Sequence, residues 1–318
     1  MTRCTHFSHF NVNCPKRVRC PFLLNFYPGL ASVMKSFRCR FLLSAVLFSV
    51  LAAAGCSRIS ERIDSIRKNE PAAASTPASV EPENVHILLG NPSGASTSDR
   101  DNFLLIRSSA VYSYNNSRGT ANWASWRTDR NDLGESIPRP DFEPDLNLPA
   151  PFTRINPSDY SGSGYDRGHL VPSADRFGNR NANRETFLMT NIVPQAGDLN
   201  RYPWEQLESF SRSLARRGHD VYTIAGVYGD KGRLRKKVTV PTNCWKILVV
   251  VRAGSTLHDI DQNARVIAVD MLNTQGIADT QWKDHLTTVR SIEQRTGYNF
   301  LSNLPSELQE ILENRISE

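Results

Sequence analysis

The sequence predicts an α+β fold, a mainly antiparallel central sheet with flanking helices. Three observations predict it. Strand-like segments, β-branched and aromatic and bounded by Gly, Asn or Asp, outnumber helical ones. They do not alternate with helices in the regular order that a parallel sheet requires. No internal repeat runs through the 318 residues, a length that allows one large domain or two small ones, and residues 85–318 are read as a single domain.

Taken in chain order, residues 57–84 (PAAASTPASVEPEN at the end) are rich in Ser, Ala, Pro and charge and read as a flexible tether. Domain character begins near Val85 and continues to Glu318. Asn102–Ser109 and Val111–Tyr114 read as the first strands, and Gly134–Pro157, rich in Pro and Asp, as an ordered loop over the sheet. Pro203–Arg217 reads as a helix: Pro suits its first position, Trp204, Leu207, Phe210 and Leu214 make one apolar face, and Gly218 stops it. Asp220–Tyr228, Cys244–Arg252 and Arg265–Leu272 follow as strands, then a helix over Thr287–Gln294 closed by Gly297.

Charge and cysteine usage mislead until they are placed. A net charge of +6 suggests a nucleic-acid-binding surface. Seven of the 38 basic side chains, however, lie in residues 1–55, which hold no acidic residue. The remainder, 31 basic against 32 acidic, carries −1, so affinity for a polyanion has to come from local arginine placement. Residues 34–40 (MKSFRCR) form a positive n-region, and Phe41–Gly55 is an apolar run of signal-peptide length. It is shorter than the about 20 residues of a membrane span. Ala53-Ala54-Gly55-Cys56 resembles a bacterial lipobox with Cys56 as lipid acceptor, although Ala53 stands where Leu is usual. Cleavage after Ala54, giving a soluble exported protein, is the alternative. Because leaders start close to their initiator, translation is expected to begin at Met34, with residues 1–33 an upstream addition. Of six cysteines, Cys244 alone lies beyond Cys56, which excludes an intramolecular disulfide there and is read as a buried structural thiol.

The chemistry concentrates in two stretches. Residues 165–176, YDRGHLVPSADR, put His169 behind Arg167 and a flexible Gly168, a proton acceptor beside a phosphate-binding cation in a turn. Residues 190–213, TNIVPQAGDLNRYPWEQLESFSRS, add Asn200, Glu208 and Arg212. Each has a bland reading. Asn200, in the turn before Pro203, could be a helix cap. Glu208 and Arg212, four residues apart, could be a surface ion pair worth a few tenths of a kcal/mol. The functional reading makes Asn200 a weak ligand for a well-hydrated Mg2+, Glu208 a partner of its waters and Arg212 a neutraliser of phosphate. Spacing does not separate the two readings. His86, His219, His258 and His285 sit in polar or helix-end contexts and are read as structural.

DRGHLVPSADR followed by TNIVPQAGDLNRYPWEQLESFSR resembles the signature of the DNA/RNA non-specific endonucleases, the ββα-metal (His-Me finger) family that includes secreted bacterial nucleases and mitochondrial endonuclease G. Residues 112–115 (YSYN) and 122–126 (NWASW) resemble its first strands. Residues 225–228 (AGVY), 245–247 (WKI) and 292–297 (IEQRTG) resemble later ones. The resemblance covers roughly residues 85–312.

By that resemblance, His169 is the general base, Asn200 the direct Mg2+ ligand (Mn2+ substituting), and Glu208 the acid bonded to metal-bound water. Arg167, Arg212 and, more loosely aligned, Arg139 act on phosphate, and Asn191 and Asp166 support their neighbours. The resemblance implies hydrolysis of DNA and RNA, single- or double-stranded, to 5′-phosphate oligonucleotides with low sequence specificity. Two other classes are kept: a non-catalytic nucleic-acid-binding surface lipoprotein, which shifts DNA without cutting it, and a hydrolase of small phosphodiesters. Oligomeric state and an inhibitor partner are not legible.

Overall fold

The computed structural model describes residues 84–317. The expected start at Met34, the leader, Cys56 and the tether up to residue 83 lie outside the described residues. Among the described residues no helix is long and apolar enough to cross a membrane.

The centre is a seven-stranded sheet in the order β1-β2-β3-β6-β9-β10-β11. Its strands are β1 Phe103–Ile106, β2 Val111–Asn115, β3 Thr120–Thr128, β6 His219–Tyr228, β9 Asn243–Arg252, β10 Arg265–Leu272 and β11 Leu286–Thr287. Every neighbouring pair is antiparallel. Two small ribbons stand apart: β4 Asp166–His169 with β5 Ile192–Gln195, and β7 Arg233–Leu234 with β8 Val238–Thr239.

β6 and β9 are buried along nearly their whole length because both sheet faces are covered. On one face, α3 (Pro203–Arg216) and the 134–156 loop seal a core containing Trp126, Leu207, Ala225 and Leu248. On the other, α4 (Val289–Thr296) and α5 (Ser306–Glu313) cover Trp123, Ile224, Trp245 and Ile247. The two-residue strand period sends alternate side chains to opposite faces, so β9 contributes Trp245 to one core and Leu248 to the other. Cys244, fully buried and unpaired, has its thiol pushed up to about 12 by burial, as a structural thiol should.

The expected α+β architecture is the one observed, with strand ends within a few residues of those predicted. The loop over residues 134–156 covers the sheet as expected, with Phe152 packed 4.8 Å from Phe103. Two local expectations are corrected. DRGH is not a turn but the strand β4, because its backbone pairs with β5 in the register His169↔Ile192 and Arg167↔Pro194. Gly168 is not flexible: it is buried in that strand, and a Cβ there would run into the Gln195 side chain. The second helix is shifted to Val289–Thr296, because Thr288 caps it by accepting from Ser291 N at 3.0 Å.

Candidate active site

The hairpin β4–β5, whose connection carries α1 (Arg180–Glu185), is followed at once by α2 (Gly197–Arg201) and α3, so one run of chain supplies a strand pair and the helices packed against it. The hairpin is anchored from behind. Asn191, 1 % exposed, accepts from Val171 N at 2.9 Å and donates to Val171 O and Thr186 O. Asn273, just past β10, accepts from Ala196 N at 2.7 Å and donates to Pro194 O and Pro241 O. It thereby fixes the end of β5 and the start of α2 to the sheet.

His169 and Arg167 share one face of β4, as the strand period requires. Both meet Phe142: the imidazole lies 5.4 Å from its ring and the Arg167 guanidinium 5.6 Å. Phe187 closes the other side of His169 at 5.0 Å, edge to face. The His169 Nε2 is buried without a hydrogen-bond partner, whereas Nδ1 is not among the buried unpartnered atoms. Burial first, and then the charge of Arg139, pulls His169 from 6.5 down to about 3. The ring is therefore neutral at pH 7 and able to accept a proton.

Asn200 is the penultimate residue of α2, not a cap: Tyr202 is the N-cap of α3 and makes no side-chain capping bond. Its Nδ2 donates to Asp166 Oδ2 at 3.1 Å, which fixes the amide and leaves its oxygen as the free end. Asp166 also takes both arms of Arg201, at 2.8 and 2.7 Å. Arg167 donates through Nε and one terminal nitrogen to Pro157 O, so its other terminal nitrogen is uncommitted. Arg139 is exposed, has no carboxylate partner among the described residues, and rests over Phe142 and Phe187 at 5.2 and 5.4 Å.

Glu208 and Arg212 lie on the inward face of α3, and the expected pair is present at 3.9 Å, but it is not a surface pair. Glu208 Oε1 accepts from Lys246 Nζ at 3.1 Å. Arg212, 7 % exposed, reaches Asp175 at 3.3 Å, Glu205 at 3.2 Å and Ser209 at 2.9 Å. Asp175 in turn accepts from Trp126 Nε1 and Thr128 Oγ1. Burial pushes the Glu208 carboxyl up and the Lys246 ammonium down, and their mutual attraction opposes both shifts.

Two adjoining cavities result. One, about 240 Å³, is lined by His169, Asn200, Glu205, Glu208 and Arg212. The other, about 380 Å³, is lined by Arg139, Phe142, Asp166, Arg167 and Arg201, and shares Asn200 with the first. Every predicted site residue in the described region except Asn191 thus lines one of the two. Phe142, Phe187, Asp175, Arg201 and Lys246 were missed. Lys246 alone carried a sequence signal, a lone charge inside the apolar run of residues 244–251. A larger cavity of about 750 Å³ lies beyond the end of α3, near Leu214 and Arg252, and holds none of the predicted residues.

A sequence profile described as DNA/RNA non-specific endonuclease matches residues 91–307. A nuclease of Nostoc sp. is 42 % identical over 266 residues, covering 82 % of this chain and 93 % of the relative. Nuclease C1 of Cunninghamella echinulata is 36 % identical, covering 69 % of this chain and 88 % of the relative. Bovine mitochondrial endonuclease G is 31 % identical, covering 52 % and 56 %. Among solved structures, a complex of EndoG with EndoGI superposes with a TM-score of 0.59 at 24 % identity, over 70 % of this chain and 92 % of that one. That likeness speaks for the fold.

Proposed function

The chain belongs to the DNA/RNA non-specific endonuclease family and is a nuclease, and we propose that it cuts with His169 as general base and one Mg2+ held by Asn200. The observation that carries this reading is the meeting of His169, Asn200 and Glu208, from β4, α2 and α3, on one cavity.

The residues fit a hard, hydrated cation. Asn200 offers a neutral amide oxygen and Glu208 a carboxylate. Among the described residues no group of three or more His, Cys, Asp or Glu side chains could hold a metal ion. An ion bound here therefore keeps most of its water, as Mg2+ does. Asn200 would hold it directly, and Glu208 through its hydration shell. When bound, the ion supplies positive charge against the phosphate, and Mn2+ would substitute.

His169 accepts a proton from the attacking water. With Nε2 buried, Nδ1 is the nitrogen that would meet that water. Arg167, through its uncommitted nitrogen, and Arg139 bind phosphate oxygens. Arg212 adds positive charge at the cavity wall, shared with three carboxylates. Asp166 orients the Asn200 amide. Because water is the nucleophile, a 2′-hydroxyl is not needed, so both DNA and RNA are substrates, cut to 5′-phosphate ends. Contacts to the backbone alone confer low sequence specificity. Export and tethering through lipid on Cys56 complete the proposal, on the strength of the n-region, apolar run and lipobox-like residues 34–56.

The test is degradation of plasmid DNA and of RNA by the domain with and without EDTA. His169→Ala should lower turnover by about 10²–10⁴-fold, the usual worth of a general base, while DNA binding persists. A variant that cuts normally removes His169 from this role. A band shifted but never cut by the wild type would favour a binding module.

A further inference from the structure

We propose that Lys246 is a positioning residue of this nuclease, holding the Glu208 carboxylate turned toward the cavity it shares with His169 and Asn200. The inference rests on the reading of Glu208 given above.

Lys246 sits in the middle of β9, paired with Ala225 on β6 and Val269 on β10, and is 1 % exposed. An ammonium ion buried in a sheet interior is costly unless it is paired. Its partner is Glu208 Oε1 at 3.1 Å, the only carboxylate within ion-pair distance of it among the described residues. The indole face of Trp204 lies 4.0 Å from Nζ, and that of Trp126 lies 6.0 Å away. Trp204 and Glu208 are four residues apart on α3, so the ammonium is gripped by two successive turns of one helix face. Ring and carboxylate together leave it one position.

The consequence falls on Glu208. Its carboxylate lies between two cations: Lys246 from the sheet at Oε1 and Arg212 from its own helix, 3.9 Å from Oε2. Arg212 is not at full contact with Glu208 because Asp175, Glu205 and Ser209 hold it. Without Lys246 the carboxylate is free to close onto Arg212 and to turn from the cavity. A lysine that merely filled space beneath α3 would carry no such dependence.

The experiment is a double-mutant cycle on the whole domain with Lys246→Met, Glu208→Gln and the pair together. Mn2+ binding is read by the free-ion paramagnetic resonance signal without nucleic acid, and kcat and KM on DNA separately. Each single variant should weaken Mn2+ binding severalfold and lower kcat with KM little changed. The double variant should be no worse than Glu208→Gln. Lys246→Met with wild-type Mn2+ binding and kcat overturns the proposal, as does an effect that persists undiminished in the Glu208→Gln background. If Glu208→Gln is itself silent in both readouts, the reading of Glu208 fails instead. Should Lys246→Met not fold, the double variant, which buries no lone charge, still decides. Activity equal to that of Glu208→Gln supports the proposal and a further loss overturns it.

Discussion

His169 gains its chemistry from what surrounds it rather than from its neighbours in sequence. Phe142, Phe187 and the Arg139 charge keep the ring neutral far below its ordinary 6.5. The sign follows from linkage. The folded pKa, about 3, lies below the unfolded value, so the unfolded chain takes up a proton that the native ring refuses. This contribution to stability is complete above pH 6.5 and is lost as pH falls from 6.5 toward 3. Thermal melts across that range should lose less stability in His169→Ala than in the wild type. The acid limb of kcat/KM should likewise lie below 6.5, the ordinary imidazole value; a limb at or above it would sink the account. Gly168 teaches the same lesson. The sequence suggests flexibility, but the position needs a missing side chain, because Gln195 occupies the space a Cβ would take.

At the scale of elements, placement of the site depends on how the β4–β5 hairpin and α2 are tied to the sheet. Asn273 does this with two side-chain bonds across nearly eighty residues of sequence, to Ala196 N and Pro194 O, while a third, to Pro241 O, steadies Asn273 itself. Asn273→Ala strands one buried N–H and two buried carbonyls, at about 1–3 kcal/mol for each group left unpaired. The expected result is a lower Tm together with a lower kcat, since α2 carries Asn200. An unchanged kcat in a destabilised Ala variant would show that the anchor serves the fold alone. The long strands β6, β9 and β10 were legible because β-branched runs bounded by turn residues are local signals, whereas β3, with few β-branched residues, was marked only by the resemblance of residues 122–126. β4 was not legible, being four residues of mixed polarity whose strand character comes from pairing with β5.

Across the whole molecule, charge is decided by location. The excess of basic residues lies in residues 1–55, and beyond them 31 basic side chains face 32 acidic ones. What lines the cavity beside Asn200 is a local set, Arg139, Arg167 and Arg201, with one carboxylate among them. The proposed anchor belongs to this scale too. Palmitate labelling of cells expressing the wild type should mark the protein, and Cys56→Ser should abolish the label. An equal label in both would favour cleavage after Ala54.

The residue order by itself determined the α+β class and the buried thiol, and it marked His169, Arg167, Asn200, Glu208 and Arg212 as candidates. Those features rest on periodicity, composition and short motifs, which are properties of neighbouring residues. Tertiary structure alone decided that Asn200 is held by Asp166, that Arg212 serves three carboxylates, that two phenylalanines wall in His169, and that Lys246 reaches Glu208 from beneath. Each of these joins residues distant in sequence, and such contacts exist only once the sheet, hairpin and helix have packed together.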